Sequence, residues 1–174
     1  ELASGQVLTA TEKIILCGGA YSDLLLDHSN IKRSRNASKS PRASKRTVAL
    51  LEVSEKSVSG ILNDMPTIKY AFGLAAQSST ENAAVGEHSR VEAGSVYILP
   101  PVYYPEKGGK WFVKIGGGPN EFFEGDKDDK QQLDGWLSSE GDPASAEWLG
   151  EIGKSLLSGI RFESLESMAC VTTT

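Results

Sequence analysis

A glycine pair, Gly18 and Gly19, is the clearest candidate for a ligand-binding element in this sequence. The pair follows the apolar residues 14–17, which predict a buried strand, and it precedes residues 21–26, which predict a helix capped by Ser22. Because glycine lets other groups approach the backbone closely, such a turn can face a phosphate group or a cofactor. Turns of this kind without any ligand are common, and the segment alone favours that simpler interpretation.

The histidines and cysteines do not predict a metal centre. His28 and His88 lack the spacing of metal ligands, and Cys17 is not placed to complete a cluster with them. Neither histidine has a hydroxyl or thiol nucleophile motif nearby, which argues against hydrolase chemistry. Cys17 and Cys170 are too sparse for a disulfide framework and fit a reducing compartment, although a single disulfide between them stays open.

Composition and charge exclude two classes of partner. The chain has 174 residues, 39% of them hydrophobic, which suits one domain with one core. A net charge of -5 argues against general nucleic-acid binding, and no window reaches the roughly 20 apolar residues of a membrane span. We therefore expect a soluble protein without a nucleic-acid or membrane partner. No signal pattern is visible, which favours the cytoplasm or the peroxisome, and both ends look like cuts in a longer chain.

Residues 29–46 differ in composition from the rest of the chain. They combine basic residues with serines, and they contain no acidic residue: Lys32, Arg33, Arg35, Lys39, Arg42, Lys45 and Arg46. A contact with a nucleic acid or an acidic partner is one interpretation. A solvated, flexible loop is favoured, because no aromatic side chain accompanies the charge.

The elements that must position any site follow this segment. Residues 94–99 and 110–116 predict a hairpin whose turn spans residues 103–109, and Trp136 and Trp148 are expected as core anchors of two helices. The whole pattern predicts an α+β fold with a mixed, mainly antiparallel sheet and flanking helices. The predicted strands are 47–53, 67–71, 94–99, 110–116 and one from Ile160 toward Cys170, and the predicted helices are 56–62 after Ser54, 128–137 and 144–157.

Four segments, taken in order, resemble one family. Residues 14–22, Ile-Ile-Leu-Cys-Gly-Gly-Ala-Tyr-Ser, are similar to a strand-Gly-Ala-Trp-Ser segment, with Tyr21 in place of the tryptophan. Residues 62–66, 97–117 and 168–174 are similar to consecutive parts of a substrate domain. The family is that of FAD-dependent oxidoreductases related to D-amino-acid oxidase and sarcosine oxidase. Its amino-terminal Gly-x-Gly-x-x-Gly fingerprint is missing here, as is the carboxy-terminal stretch that completes its flavin site.

The resemblance implies both an organisation and a function. Residues 1–28 correspond to the end of a Rossmann-like FAD domain, residues 29–46 to an insertion, and residues 47–174 to a substrate domain that is incomplete at its carboxyl end. The implied reaction is oxidation of the carbon-nitrogen bond of a small amine or amino acid, with FAD as cofactor and oxygen as the favoured acceptor. The remainder of a parent chain would then be a partner. The alternative is a non-catalytic domain of the same fold that binds a partner.

Lys114 is the implied catalytic residue. In the sarcosine-oxidase-like family a lysine on this hairpin strand lies near the flavin ring, where a fixed cation stabilises the negative charge that develops when oxygen is reduced. Strand alternation puts Trp111, Val113 and Ile115 on one face and Phe112 with Lys114 on the other. A solvent-facing lysine is the alternative interpretation.

The other implied site residues lie at both ends of the chain. The implied cofactor contacts are Gly18, Gly19, Ala20, Tyr21 and Cys170. Cys170 falls where some members attach the flavin through a cysteine thioether, and an inert buried cysteine is an equal alternative. Thr172 stands where relatives carry an aromatic residue near the substrate, and Gly118 where some carry a histidine, so the identity of the substrate stays open.

Overall fold

The computed structural model describes residues 5, 7, 9–13, 15, 17–29, 42–72, 94–118, 120–123 and 130–173. Four α-helices and seven strands are formed there. The helices are α1 (Ser22–His28), α2 (Glu55–Ser59), α3 (Lys130–Leu137) and α4 (Pro143–Leu156). The strands are β1 (Ala43–Val53), β2 (Ile68–Phe72), β3 (Gly94–Ile98), β4 (Val102–Tyr104), β5 (Lys110–Gly117), β6 (Glu121–Phe122) and β7 (Phe162–Thr173). Two short 3₁₀ turns, Gly19–Tyr21 and Pro105–Lys107, complete the described elements.

The strands form one sheet, and every pairing in it is antiparallel. Strand β1 is central, because it pairs with β5 and β6 along one edge and with β7 along the other. Beyond β5 lie β4 and β3, and β2 follows β3. The predicted α+β class with a mainly antiparallel sheet is confirmed. None of the described helices is long and apolar enough to cross a membrane.

One face of the sheet packs against helix α4, and we call it the helix face. Leu51 of β1, Ile115 of β5 and Leu149 of α4 are fully buried together there. Gly153 lets the helix approach closely, since a Cβ at this position would lie 2.0 Å from Cδ1 of Ile115. This close fit fixes the position of α4 over the three central strands.

The amino terminus of α4 is attached to β1 by hydrogen bonds. Asp142 caps the helix by accepting a bond of 2.8 Å from the backbone N–H of Ser145, and its own backbone N–H donates to Oγ1 of Thr47 at 2.8 Å. The bonds from Ser145 lower the pKa of Asp142, because they stabilise its charged form. The cap therefore connects the helix directly to the central strand.

A second, smaller apolar cluster lies at the far end of the helix face. Its buried members are Ala43, Phe123 and Leu133, and its partly buried members include Ala20, Tyr21, Leu24, Trp136 and Val171. The hydroxyl of Tyr21 donates to Oδ1 of Asp134 at 2.7 Å. The predicted glycine turn is therefore joined to α3 and to the end of β7.

Several predicted elements need correction. The predicted strand over residues 14–17 is wrong where it is described: Ile15 and Cys17 are in no strand, and Ile15 is 83% exposed. A run of four apolar residues is too short to bury itself without a partner strand. Ser22 is the first residue of α1 rather than its cap. The cap position is occupied by Tyr21, which makes no side-chain capping bond. The Rossmann-like identity of this piece stays a prediction.

The central strand and the hairpin turn also differ from the sequence prediction. Strand β1 begins at Ala43 rather than at Thr47, so residues 43–46 of the basic segment belong to the sheet. Tyr103 and Tyr104 pair with β5 as part of β4 rather than lying in the turn. The predicted cap at Ser54 is confirmed by its bond from the N–H of Ser57, although the helix ends early, at Ser59.

Trp148 is not a core anchor, because 41% of it is exposed. The buried stripe of α4 runs through Ala146, Leu149, Gly150 and Gly153, and Trp148 lies off this stripe. Trp136 is partly buried in the smaller cluster, as predicted. Residues 73–93, between β2 and β3, and residues 30–41 of the basic segment lie outside the described residues.

Candidate functional site

The face of the sheet opposite α4 carries the candidate site, and we call it the open face. No described α-helix packs on it. Three of its apolar side chains, Val48, Leu50 and Phe112, are nevertheless buried. By register and alternation its members are Tyr97 of β3, Phe112, Lys114 and Gly116 of β5, Arg46, Val48, Leu50 and Glu52 of β1, and Glu166, Met168, Cys170 and Thr172 of β7.

Three residues that the family resemblance singles out lie together on this face. Lys114 is opposite Leu50 of β1, and Cys170 is opposite Arg46 of the same strand. Thr172 follows on β7 with the same alternation. Strand geometry separates Lys114 from Cys170 by about 13 Å along the strands and about 10 Å across them. The two side chains do not contact each other, so only an extended ligand could touch both.

Lys114 differs from the other lysines of the hairpin. Lys107 binds Oε2 of Glu166 at 2.6 Å, and Lys110 binds Oε2 of Glu52 at 2.9 Å. Within the described part of the chain, the Lys114 ammonium has no such carboxylate partner.

Glu52 is the centre of a buried cluster of polar side chains on the open face. It lies opposite Phe112, which neighbours Lys114 on the same face of β5. It is 7% exposed and accepts bonds from Lys110 and from Oγ of Ser164 at 2.5 Å. These two bonds, first that from Ser164 and then that from Lys110, lower the pKa of Glu52 because they favour its carboxylate form. The bond to Glu52 also raises the pKa of Lys110. The group connects β1, β5 and β7 with a fixed charge arrangement.

Tyr97 extends across the open face over a glycine. A Cβ at Gly116 would lie 2.4 Å from the Tyr97 hydroxyl, so only glycine leaves room for the phenol ring. Burial raises the pKa of Tyr97, and the nearby Cys170 raises it further, whereas Arg46 acts in the opposite direction. The phenol is therefore within electrostatic reach of both Cys170 and Arg46. The sequence pattern did not single out Tyr97, although its position next to Gly116 follows from the hairpin register.

Cys170 is a free, half-buried thiol on the open face. Its sulfur is 3.9 Å from the carbonyl oxygen of Val171, which is a weak contact, and its own carbonyl accepts a bond of 2.8 Å from Nε1 of Trp136. Cys17 is also free, so the two cysteines are not joined. Attachment of a flavin to this sulfur stays a prediction.

The glycine turn is not part of this constellation. Ala20 and Tyr21 pack in the smaller apolar cluster beside Val171, on the helix face. The bond to Asp134 raises the pKa of Tyr21, because that bond stabilises the neutral phenol. The structure therefore brings Lys114, Cys170 and Thr172 onto one face but does not bring Gly18, Gly19, Ala20 and Tyr21 onto it.

The described ranges hold no group of three or more His, Cys, Asp or Glu side chains that could bind a metal ion. A scan against models of protein families gives no match for this chain, and searches of curated proteins and of solved structures give none either. A function must therefore be inferred from the sequence motifs and from the arrangement of the open face.

Proposed function

We propose that this chain is the substrate-domain part of a flavin-dependent oxidoreductase that oxidises the carbon-nitrogen bond of a small amine or amino acid. The observation that supports the proposal is the common location of Lys114, Cys170 and Thr172. They come from two separate motifs, they lie on strands β5 and β7, and all three point to the open face.

The open face would receive the ring end of FAD. It presents a lysine without a carboxylate partner in the described residues and a half-buried thiol, above the buried side chains of Val48, Leu50 and Phe112. An extended planar group would reach from the row of Lys114 toward the row of Cys170. The glycine turn at Gly18 does not share this face, so any contact from it to the cofactor would be to a different part of the molecule.

When bound, FAD would supply the redox chemistry by accepting a hydride equivalent from the substrate and passing electrons to oxygen. The protein's own residues would orient the substrate and stabilise charge. Lys114 would hold a fixed positive charge at the face, and this charge favours reduction of oxygen, which gains negative charge. Substrate oxidation gains less from it, because that step does not place new negative charge on oxygen.

The test uses the complete protein that contains this chain, purified with its flavin. Anaerobic mixing with N-methyl and ordinary amino acids measures flavin reduction, and mixing of reduced protein with oxygen measures reoxidation. We expect Lys114→Met to slow reoxidation by about a hundred- to a thousandfold, with a much smaller effect on reduction. The control Lys154→Met removes the same charge from α4, on the other side of the sheet, and should change neither rate.

Two outcomes would contradict the proposal. Complete protein that carries no flavin, or whose flavin no amine reduces, would instead favour the non-catalytic, partner-binding alternative. Unchanged reoxidation in folded Lys114→Met would remove the catalytic role of the lysine.

A further inference from the structure

The sheet is interrupted beside the row that contains Cys170. Register pairs Val48 of β1 with Gly116, and Lys45 with Glu121. Between these two pairs β1 has only residues 46 and 47, whereas the opposite side of the ladder includes Gly117, Gly118 and Asn120. The longer side must leave the ladder as a bulge, and bulges are frequent next to functional sites, where they redirect side chains.

Glycines make the bulge possible. Gly117 and Gly118 have φ angles of +139° and +85°, which L side chains rarely adopt. A Cβ at Gly117 would lie 2.3 Å from the carbonyl oxygen of Ser95 on β3. The backbone at Gly118 is thus held away from β1. Its carbonyl therefore needs a hydrogen-bond donor other than a backbone N–H of the neighbouring strand.

Arg46 supplies that donor from the open face. Its Nη1 donates to the carbonyl oxygen of Gly118 at 2.6 Å, and its Nη2 donates to Oδ1 of Asn120. Its Nε donates to Oγ1 of Thr172 at 3.2 Å, so the same guanidinium also holds the end of β7. One planar group therefore fixes the bulge and Thr172 relative to each other.

The chemistry requires an arginine here. The guanidinium directs N–H donors along several fixed directions in one plane, whereas a lysine ammonium is a single flexible point charge. Oγ1 of Thr172 accepts a bond from Arg46, and none of the described residues accepts a bond from the threonine's own O–H, which can therefore donate to a ligand. Arg46 thereby orients the Thr172 hydroxyl so that its O–H can donate to an acceptor such as a substrate carboxylate.

We infer that Arg46 is a positioning residue for the substrate site, acting through Thr172 and the bulge at Gly118, and that it favours amino acids over amines without a carboxylate. The inference rests on the proposed function. Arg46 does not need to touch the substrate; it orders the groups that do. Loss of such ordering weakens substrate binding in the ground state and the transition state together, and this raises KM more than it lowers kcat.

The experiment again uses the complete flavoprotein, with an amino acid and the corresponding amine that lacks the carboxylate. We expect Arg46→Met to raise KM for the amino acid by about 10- to 100-fold while kcat changes less than about threefold. KM for the amine should change much less. Arg46→Lys should restore only part of the loss, since it returns the charge without the planar fork.

The matched control is Lys45→Met, at the preceding residue but on the helix face. Lys45 pairs with Glu121 at 3.2 Å and lies over the rings of Phe123 and Trp136, so it has comparable structural contacts. Its replacement should leave the ratio of the two KM values unchanged. A double variant, Arg46→Met with Thr172→Val, should be no worse than Arg46→Met alone, because both changes remove the same ordered donor.

If Arg46→Met does not fold, Thr172→Val and Asn120→Ala each remove one partner and keep the guanidinium. A normal KM for the amino acid in both folded variants would overturn the inference. An active wild-type protein whose KM ratio is unchanged by Arg46→Met would also overturn it and leave the proposed function intact. A wild-type protein without amine-dependent flavin reduction would overturn the proposed function and the inference with it.

Discussion

The two faces of the sheet are built from the same strands but are stabilised differently. Leu50 and Leu51 are adjacent on β1 and both are fully buried. Leu51 packs with Ile115 against α4, so closely that a Cβ added at Gly153 would lie 3.1 Å from Cδ1 of Leu51. Leu50 lies between Lys114 on β5 and Glu166 on β7, its two cross-strand partners, and both have long polar side chains. One face therefore specifies the fold by close packing, whereas the other holds charged side chains between its strands.

Truncation of the two leucines tests this contrast most directly and has the largest expected effect. Leu51→Ala should lower the free energy of unfolding by about 2–5 kcal/mol, because the helix face cannot close the cavity. Leu50→Ala should cost about 1 kcal/mol less, since the flexible side chains around it can move into the space. Urea unfolding of the two variants measures the difference.

Equal losses for the two leucines would mean that the open face is packed as rigidly as the helix face. A larger loss for Leu50→Ala would reverse the comparison. The slope of the urea transition must stay constant between the variants, because a changed slope would indicate an altered unfolded state rather than a cavity.

Replacement of helix glycines by alanine tests how closely α4 packs on the helix face. Gly153→Ala places a methyl group 2.0 Å from Cδ1 of Ile115 and 3.1 Å from Cδ1 of Leu51. Overpacking costs roughly 1–3 kcal/mol, and the better helix propensity of alanine returns about 1 kcal/mol, so we expect a net loss of up to about 2 kcal/mol.

Gly135→Ala on α3 is the matched control for the helix-propensity term. A Cβ there has no neighbour within 4 Å, so the variant should gain up to about 1 kcal/mol in thermal or urea unfolding. If both alanine variants were stabilised, the close approach of α4 to the sheet would not be a constraint. The pair separates packing from propensity because the chemical change is the same.

Most of the sheet could be predicted from sequence because its signals are local. The alternating or continuous apolar residues of β1, β3 and β5 and the cap at Ser54 are each set by a few neighbouring residues. The start of β1 was missed because Lys45 and Arg46 look like part of a basic loop. They are tolerated in a strand because Glu121 and the bulge carbonyl at Gly118 give them partners that are distant in sequence.

The candidate site was only partly predictable for the same reason. The family resemblance indicated Lys114 and Cys170, and strand alternation correctly put Lys114 opposite the face of Ile115. Arg46 and Tyr97 enter the site through register between strands, which no local pattern gives. The carboxylate of Glu52 can be buried because Oγ of Ser164, 112 positions away in the sequence, donates a hydrogen bond to it. Contacts of this range depend on the whole fold.

The smallest expected effect tests the charge arrangement on the open face through its pH dependence. The pKa of Glu52 is lowered in the folded protein from its ordinary value of 4.5, so the carboxylate binds protons less readily in the folded state than in the unfolded state. Its contribution to stability is therefore fully present above pH 4.5 and is lost as the pH falls through the lower, folded-state pKa.

Replacement of Glu52 by glutamine removes this titration while keeping the shape. We expect Glu52→Gln to cost about 1 kcal/mol at neutral pH, a modest value because Lys110 is partly exposed. The difference from the wild-type protein should shrink as the pH falls below 4.5, since protonated Glu52 and glutamine are both neutral. Ser164→Ala should reduce the acid dependence without abolishing it, because Lys110 still binds the carboxylate. A difference that stays constant from neutral to acidic pH would show that Glu52 stabilises the open face by its shape alone, and the contrast between a packed face and a charged face would then lose its electrostatic basis.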